Sequence, residues 1–217
     1  MLVAMLASRI GVWFLNLLFP KNCAGCYKEG GWLCDNCFFD LNKKQQKIVK
    51  ISKQIRRVYA LFLFSDKTVA NIIYRLKYSG IKDYGKIIAR LILEKNKWLV
   101  RGDYLLVGVP IYRAKQRIKG YNHSAEIAVS LAMLSKNDYS EALVKNYPTK
   151  SQTKLTKKER LENVKNSFGI VDKRIVKDRK IIIIDDVLTT GATLNEVAKQ
   201  IQKGKPKEIL AITVAVD

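Results

Sequence analysis

Residues 181–197 read Ile-Ile-Ile-Ile-Asp-Asp-Val-Leu-Thr-Thr-Gly-Ala-Thr-Leu-Asn-Glu-Val, and two chemically opposed groups stand side by side in them. Asp185 and Asp186 repel phosphate but accept hydrogen bonds from hydroxyls. Thr189, Thr190, Gly191, Ala192 and Thr193 offer side-chain O–H and backbone N–H donors. The four isoleucines before them form a strand buried on both faces, the pattern of a parallel sheet. A helix begins after the loop. In an open α/β sheet, ligands bind beyond the carboxyl ends of the strands. A helix N-terminus there carries N–H donors and partial positive charge, so it cradles anions.

A ligand with vicinal hydroxyls a few bonds from a phosphate satisfies both halves, and ribose 5-phosphate is such a ligand. The glycine-rich dinucleotide fingerprint and the Gly-Lys-Ser/Thr of a nucleoside-triphosphate loop are both missing. The plainer alternative is a buried strand followed by a helix capped by Thr190 or Thr193. The paired aspartates count against it, because adjacent carboxylates beside an apolar strand are costly without solvation or partners.

All four cysteines fall in one short stretch, Cys23-Ala-Gly-Cys26 and Cys34-Asp-Asn-Cys37. Two Cys-x-x-Cys turns supply the four thiolates of a closed tetrahedral site, so a structural Zn²⁺ is expected. Gly25 and Gly30-Gly31 allow the tight turns. Two disulfides are the alternative. No secretion signal is recognisable, which implies a reducing, cytoplasmic setting and disfavours them.

The chain has 217 residues and a hydrophobic fraction of 48%, suited to one core domain with a small appendage. Its 40 Lys and Arg against 19 Asp and Glu leave a net charge of +21. Such an excess favours a polyanionic partner, nucleic acid or anionic lipid, although a lysine-biased genome would produce it too. From Leu41 to Val58 there is no acid beside Lys43, Lys44, Lys47, Lys50, Lys53, Arg56 and Arg57, and Lys43/Lys47/Lys50 and Lys53/Arg57 lie at helical spacing. If that segment is helical, one face is cationic, and Lys43, Lys44 and Lys47 are candidate nucleic-acid contacts. A second basic run covers 145–160. Tyr112, Tyr121 and Tyr147 lie near basic residues and are candidates for base stacking. Met1–Phe19 is apolar but interrupted by Ser8, Arg9 and Asn16. It suits an amphipathic helix packed on the body, with a peripheral membrane contact through Trp13, Phe14 and Phe19 as the sharper alternative.

Several elements must position these groups. Tyr59–Phe64, Leu105–Val109 and Glu208–Val214 read as strands, and Thr68–Leu76 and Asp83–Leu93 as helices with apolar faces. Ser124–Leu134 reads as a helix with Ser124 at its N-cap. Strand, helix and strand around the aspartates form a right-handed parallel βαβ unit.

With these residues in place, a family resemblance becomes specific. Ile181–Thr193 resembles the phosphoribosyl-pyrophosphate (PRPP) motif of type I phosphoribosyltransferases. Val109-Pro110-Ile111-Tyr112-Arg113, Arg117-Ile118-Lys119-Gly120-Tyr121-Asn122-His123, Gln152-Thr153-Lys154-Leu155 and Arg160-Leu161-Glu162-Asn163-Val164 are similar to segments of the ComF competence family. The resemblance implies an α/β fold, a type I phosphoribosyltransferase-like parallel sheet flanked by helices, with an N-terminal four-cysteine zinc-finger appendage. It divides the chain into 1–42 (helix and knuckle), 43–58 (basic connection) and 59–217 (α/β domain). It implies that Asp185 and Asp186 organise the ribose, that Thr189 to Thr193 seat its 5′ phosphate, and that Arg113 and Lys115 face the diphosphate. Arg117 and Lys119 join the DNA-binding candidates. His123 stands where the family has Gln, and reads as a hydrogen-bonding replacement. Lys119 stands where it has Arg, which keeps charge but loses the bidentate fork.

The implied role is handling of single-stranded DNA in the cytosol during natural transformation, in contact with the DNA-uptake machinery or the inner face of the membrane. The alternative is an active phosphoribosyltransferase that uses Mg²⁺ to bridge PRPP. A third reading makes PRPP a regulatory ligand.

Overall fold

The computed structural model describes residues 20–149 and 156–217. The expected N-terminal helix and the Gln152–Leu155 segment lie outside the described residues. The chain divides into two compact units, Met1–Lys43 and Lys44–Asp217. In the first, the two cysteine turns lead into helix α1 (Asp35–Lys43), which carries Cys37.

The second unit is built on a six-stranded sheet. In chain order its strands are β1 (Lys47–Val49), β2 (Val58–Leu63), β3 (Tyr104–Gly108), β4 (Asp138–Tyr139), β7 (Lys180–Leu188) and β8 (Glu208–Val216). They lie in the order β1-β2-β8-β7-β3-β4. Every pairing is parallel except the antiparallel β1–β2 edge. A small antiparallel pair, β5 (Leu143–Lys145) and β6 (Phe168–Ile170), stands apart from it. The helices are α2 (Lys67–Tyr78), α3 (Asp83–Lys95), α4 (Arg113–Lys119), α5 (His123–Ser135), α6 (Lys157–Val164) and α7 (Ala192–Gln202).

The isoleucine run is the centre of this sheet. Ile181 to Ile184 are fully buried, and both neighbours of β7 are parallel strands. Side chains alternate across a strand, so the run feeds two cores. Ile181 and Ile183 join Leu105, Val107, Ile209 and Ala211 in a cluster with Leu194, Val197, Ala198 and Ile201 of α7. The opposite face is covered by α2, α3 and α5.

Two expectations change here. The basic stretch 44–58 is not a helix. Its apolar Ile48 and Val49 add an edge strand to β2, and Ile55 is buried in the core, so packing overrides the helical charge spacing. The strand of the PRPP-like motif also runs past both aspartates to Leu188, because β8 continues to pair with it as far as Val216. On its other side β3 stops: Gly108 faces Ile184, and Val109 N–H makes the last bond to the Ile184 carbonyl. Beyond that point the aspartates leave the shelter of β3 and meet the start of α5.

That junction depends on Gly108. A Cβ there would lie 2.7 Å from both Cα and N of Ala125. The strand end and the first turn of α5 are therefore in backbone contact, which no side chain would permit. Gly108→Ala is expected to cost about 1–3 kcal/mol through overpacking. Urea unfolding should show a lower midpoint with an unchanged m-value.

Candidate functional site

Asp185 and Asp186 do line a cleft at the carboxyl end of the sheet, about 260 Å³ in volume. Its walls come from the end of α2 (Lys77, Tyr78), the segment after β3 (Val109, Pro110, Ile111), α4 (Lys115, Lys119), His123, Thr193, and the hairpin side (Lys145, Thr149, Phe168). Four ammonium groups thus face two carboxylates.

The two acids have different environments. Asp186 is 7% exposed, and its Oδ2 accepts from Lys77 Nζ at 2.7 Å and from His123 Nε2 at 2.7 Å. Burial pushes its pKa up, but Lys77 and His123 outweigh burial and hold the carboxyl well below its ordinary value. The same pairing raises Lys77 against its own burial. Asp185 is half-buried. Its Oδ1 accepts from Ser124 Oγ at 3.2 Å and from the Asp186 N–H at 2.9 Å. Burial, followed by the charge of Asp186, pushes it up to about 6. One acid is a fixed anion, and the other sits close to its titration point at neutral pH.

The loop after β7 takes the expected place, with a different cap. Gly191, at φ 75°, is the N-cap residue of α7, and neither Thr190 nor Thr193 caps the helix. Glycine brings no oxygen to occupy the first-turn N–H groups. Ala192 N–H makes a long contact to Thr190 Oγ1 at 3.4 Å. Left-handed backbone favours glycine here, and an added Cβ would also press on Ile51 at 3.2 Å. Thr193 lines the cleft, Thr190 is half-buried and Thr189 is exposed. In α5 the cap is Asn122, not Ser124. Its Oδ1 accepts from Ser124 N–H at 3.1 Å, which releases the Ser124 hydroxyl to Asp185.

The remaining expected residues separate. Arg113 and Lys115 fall on a short helix instead of a loop. Lys115 reaches the cleft, whereas Arg113 lines an adjoining cavity of about 280 Å³ with Gln116, Asn122, Tyr139 and Glu141. Lys145 borders both spaces. Burial, followed by repulsion from Lys115, lowers its pKa to about 8, and Nζ donates to Thr149 Oγ1 at 2.8 Å. Burial pushes Tyr139 up to about 12, so it remains a phenol.

Lys119 lines the cleft, while Arg117 is exposed on α4. Lys44 pairs with Asp66, Lys47 is exposed on β1, and Lys43 belongs to the first unit, with Nζ 4.2 Å from the centre of the Phe39 ring. Tyr121 is buried and donates to the Leu76 carbonyl, so it is packing; Tyr147 is exposed. Lys77, Ser124, Lys145 and Thr149 were not legible as site residues. Lys77 lies more than a hundred positions before its aspartate and carries no motif of its own.

The cysteines converge. The four Sγ atoms lie within 4.8 Å of one another, with Cys23–Cys34 at 3.7 Å and Cys26–Cys34 at 3.6 Å. Those distances are far beyond a disulfide bond of about 2.05 Å. They match the edge of about 3.8 Å that a tetrahedron with metal–sulfur bonds of about 2.3 Å requires. The Gly25 and Cys34 N–H groups each point at Cys23 Sγ at 3.4 Å. Burial opposes ionisation of Cys23, but the N–H groups of Cys26, Cys34 and Gly25 prevail and bring its thiol down to about 6, whereas burial and the neighbouring sulfurs drive Cys37 up. Four thiols so placed ionise together only around a cation. The cluster could hold a metal such as zinc.

A parallel sheet with a buried acid pair at its carboxyl edge, beside a helix N-terminus and a lysine-rich cleft, defines a phosphoribosyltransferase-type fold, and comparison with known proteins agrees. The phosphoribosyl transferase domain model matches residues 82–217, and the chain belongs to that family. Within it, the chain is of the ComF type. It is 28% identical over 207 residues to Competence protein F of Haemophilus influenzae, covering 89% of this chain and 90% of that protein. It is 25% identical to Competence protein ComFC of Streptococcus pneumoniae, covering 90% of both. The DNA utilization protein YhgH of Escherichia coli K12 is 29% identical over 134 residues, 59% of this chain and 58% of that one. Among solved structures, a glutamine PRPP amidotransferase from B. subtilis complexed with ADP and GMP aligns at a TM-score of 0.39 and 18% identity, covering 62% of this chain but only 26% of that one. No helix among the described residues is long and apolar enough to cross a membrane.

Two measurements check this geometry. Lys77→Met leaves Asp186 buried with one partner and should destabilise the protein by about 3 kcal/mol, reduced in a Lys77→Met/Asp186→Leu double variant that removes both charges. Metal analysis of the purified protein should find one thiophilic divalent ion per chain, lost in Cys34→Ser.

Proposed function

We propose that the cleft binds PRPP or ribose 5-phosphate, and that the protein uses this site in a competence-related role that includes handling single-stranded DNA. The observation that supports the ligand best is the joint lining of one cleft by Asp185, Asp186, Thr193 and four lysines. The acids accept from the ribose hydroxyls, the first turn of α7 receives the 5′ phosphate, and Lys115, Lys119 and Lys145 neutralise the diphosphate. Asp186 is held as an anion by Lys77 and His123, so His123 acts as an orienting partner rather than a base. Because Asp186 Oδ2 already has two donors, Mg²⁺ would arrive mainly on the diphosphate, where it screens charge. Zinc is the proposed occupant of the cysteine cluster, with a structural role, since four thiolates leave no open position.

The nucleic-acid part rests on the net charge and on the names of the relatives, which are competence and DNA-utilization proteins. Lys43, Lys44, Lys47, Arg117 and Lys119 remain the sequence-derived candidates. A second reading, transfer of phosphoribosyl to a nitrogenous base, is favoured by one observation. The polar cavity holding Arg113, Tyr139 and Glu141 adjoins the cleft and shares Lys145, Pro110 and Ile111 with it.

Isothermal titration with PRPP and Mg²⁺ tests the site. Binding is expected, weakened at least tenfold by Asp185→Asn plus Asp186→Asn. A hydroxyl donates more strongly to Asp185 when that carboxyl is ionised, so affinity should rise as pH climbs through about 6, beyond the change seen in Asp185→Asn. The protein's stability should move the other way. A carboxyl whose pKa is raised on folding stabilises below its ordinary value near 4 and loses that contribution as pH passes 6. Pyrophosphate release dependent on an added base would establish the second reading.

A further inference from the structure

A second basic surface lies at the other pole of the sheet. Lys50, Lys53, Arg56, Lys180, Lys207 and Glu208 border a groove of about 710 Å³. Lys180 begins β7 and Glu208 begins β8, so the groove sits at the amino ends of the strands. Asp186 lies six positions after Lys180 along β7, which places the groove about 20 Å from the sugar-phosphate cleft. The segment 50–57 is fastened across this end by bonds from Arg56 N–H to the Ile209 carbonyl and from Ala211 N–H to the Arg57 carbonyl. Arg56 spends its charge on Glu208, at 2.5 Å. Lys50, Lys53, Lys180 and Lys207 are exposed and have no ion-pair partner among the described residues.

The fold accounts for part of this charge. In a parallel α/β unit the crossover helices present their C-termini, the negative end of the dipole, to the amino ends of the strands. Gln202, the last residue of α7, lies on the groove accordingly. That dipole modestly favours basic side chains at this end, and four ammonium groups without an ion-pair partner among the described residues stand there.

Aromatic rings lie beside one of these lysines. Lys180 Nζ lies 5.8 Å from the centre of the Tyr104 ring. Tyr104 meets Trp98 edge-on at 5.5 Å, and Trp98 meets Tyr59 at 5.3 Å. Trp98 is half-buried and borders a hollow with Leu93, Glu94, Lys97 and Val100. A cationic track that ends on a held aromatic ring suits a chain whose phosphates are regular and whose bases are unpaired. Duplex DNA keeps its base faces stacked inside and offers none to a half-buried ring.

We propose that this amino-end groove is a binding track for single-stranded nucleic acid, with phosphates along Lys50, Lys53, Lys180 and Lys207 and a base against Trp98. It deepens, and rests on, the single-strand reading above, and it assigns that role to residues other than the five sequence-derived candidates. Because the two sites occupy opposite poles, a single strand and a sugar phosphate can be held at once.

Fluorescence anisotropy with labelled oligo-dT over a range of salt, using the full chain, tests the proposal. Lys50→Ala/Lys53→Ala/Lys207→Ala should lower the slope of log K against log salt by about 2, in proportion to three lost phosphate contacts. Trp98→Ala should weaken binding about tenfold, and Trp98→Phe should restore most of it. PRPP affinity and melting temperature should stay unchanged in the lysine variant, which excludes unfolding. Equal oligo-dT affinity and slope in wild type and lysine variant overturn the track while leaving the single-strand reading standing. No oligo-dT binding by wild type overturns both. Binding that is tighter to duplex, or to phosphatidylserine vesicles, than to oligo-dT also overturns the track.

Discussion

A carboxylate buried at the end of an apolar strand has to be answered by a cation, and the arrangement of the carboxyl end of this sheet follows from that constraint. Asp186 is answered by Lys77 from α2 and by His123 from the start of α5. Those two elements therefore converge on β7 from separate parts of the chain. Gly108 lets α5 come close enough, because nothing larger fits between β3 and Ala125. Asn122 caps α5 and so leaves Ser124 available to Asp185. The ionic contact, the backbone contact and the cap are one construction.

The division of labour between the acids comes from this construction rather than from their identity. They are neighbours in sequence with the same side chain. One is neutralised by Lys77 and stays ionised. The other has only a hydroxyl and an amide as partners, and burial carries it upward. A sugar can thus meet one permanent acceptor and one whose charge responds to pH. The lysines around them resist proton binding for the same reason that phosphate would be welcome: Lys119 and Lys145 are depressed by burial and then by the charge of Lys115, which an entering anion offsets.

Charge is distributed by pole. At the carboxyl end it surrounds an acid pair and a helix N-terminus, where the fold itself favours anions. At the amino end it lies with the helix C-termini, in a groove where Arg56 pairs with Glu208 and Lys180 meets the Tyr104 ring. A single net charge of +21 conceals these two surfaces, and the count of lysines alone could not separate them.

Much of this molecule was legible in one dimension because it is local. Four consecutive isoleucines can only be a doubly buried strand, two Cys-x-x-Cys turns close on one another, and a glycine after two threonines opens a helix; each needs only near neighbours in the chain. The helical spacing of the basic segment misled for the complementary reason. Its charges carry no packing energy, whereas Ile48, Val49 and Ile55 do, and the sheet edge claimed them. Lys77 at Asp186, the cap at Asn122 and the gathering of Lys180 with Trp98 depend on distances through space between segments far apart in the chain. Residue types and spacings determine which groups are present and which elements they form; only the packed sheet, by choosing which elements touch, settles which charge answers which.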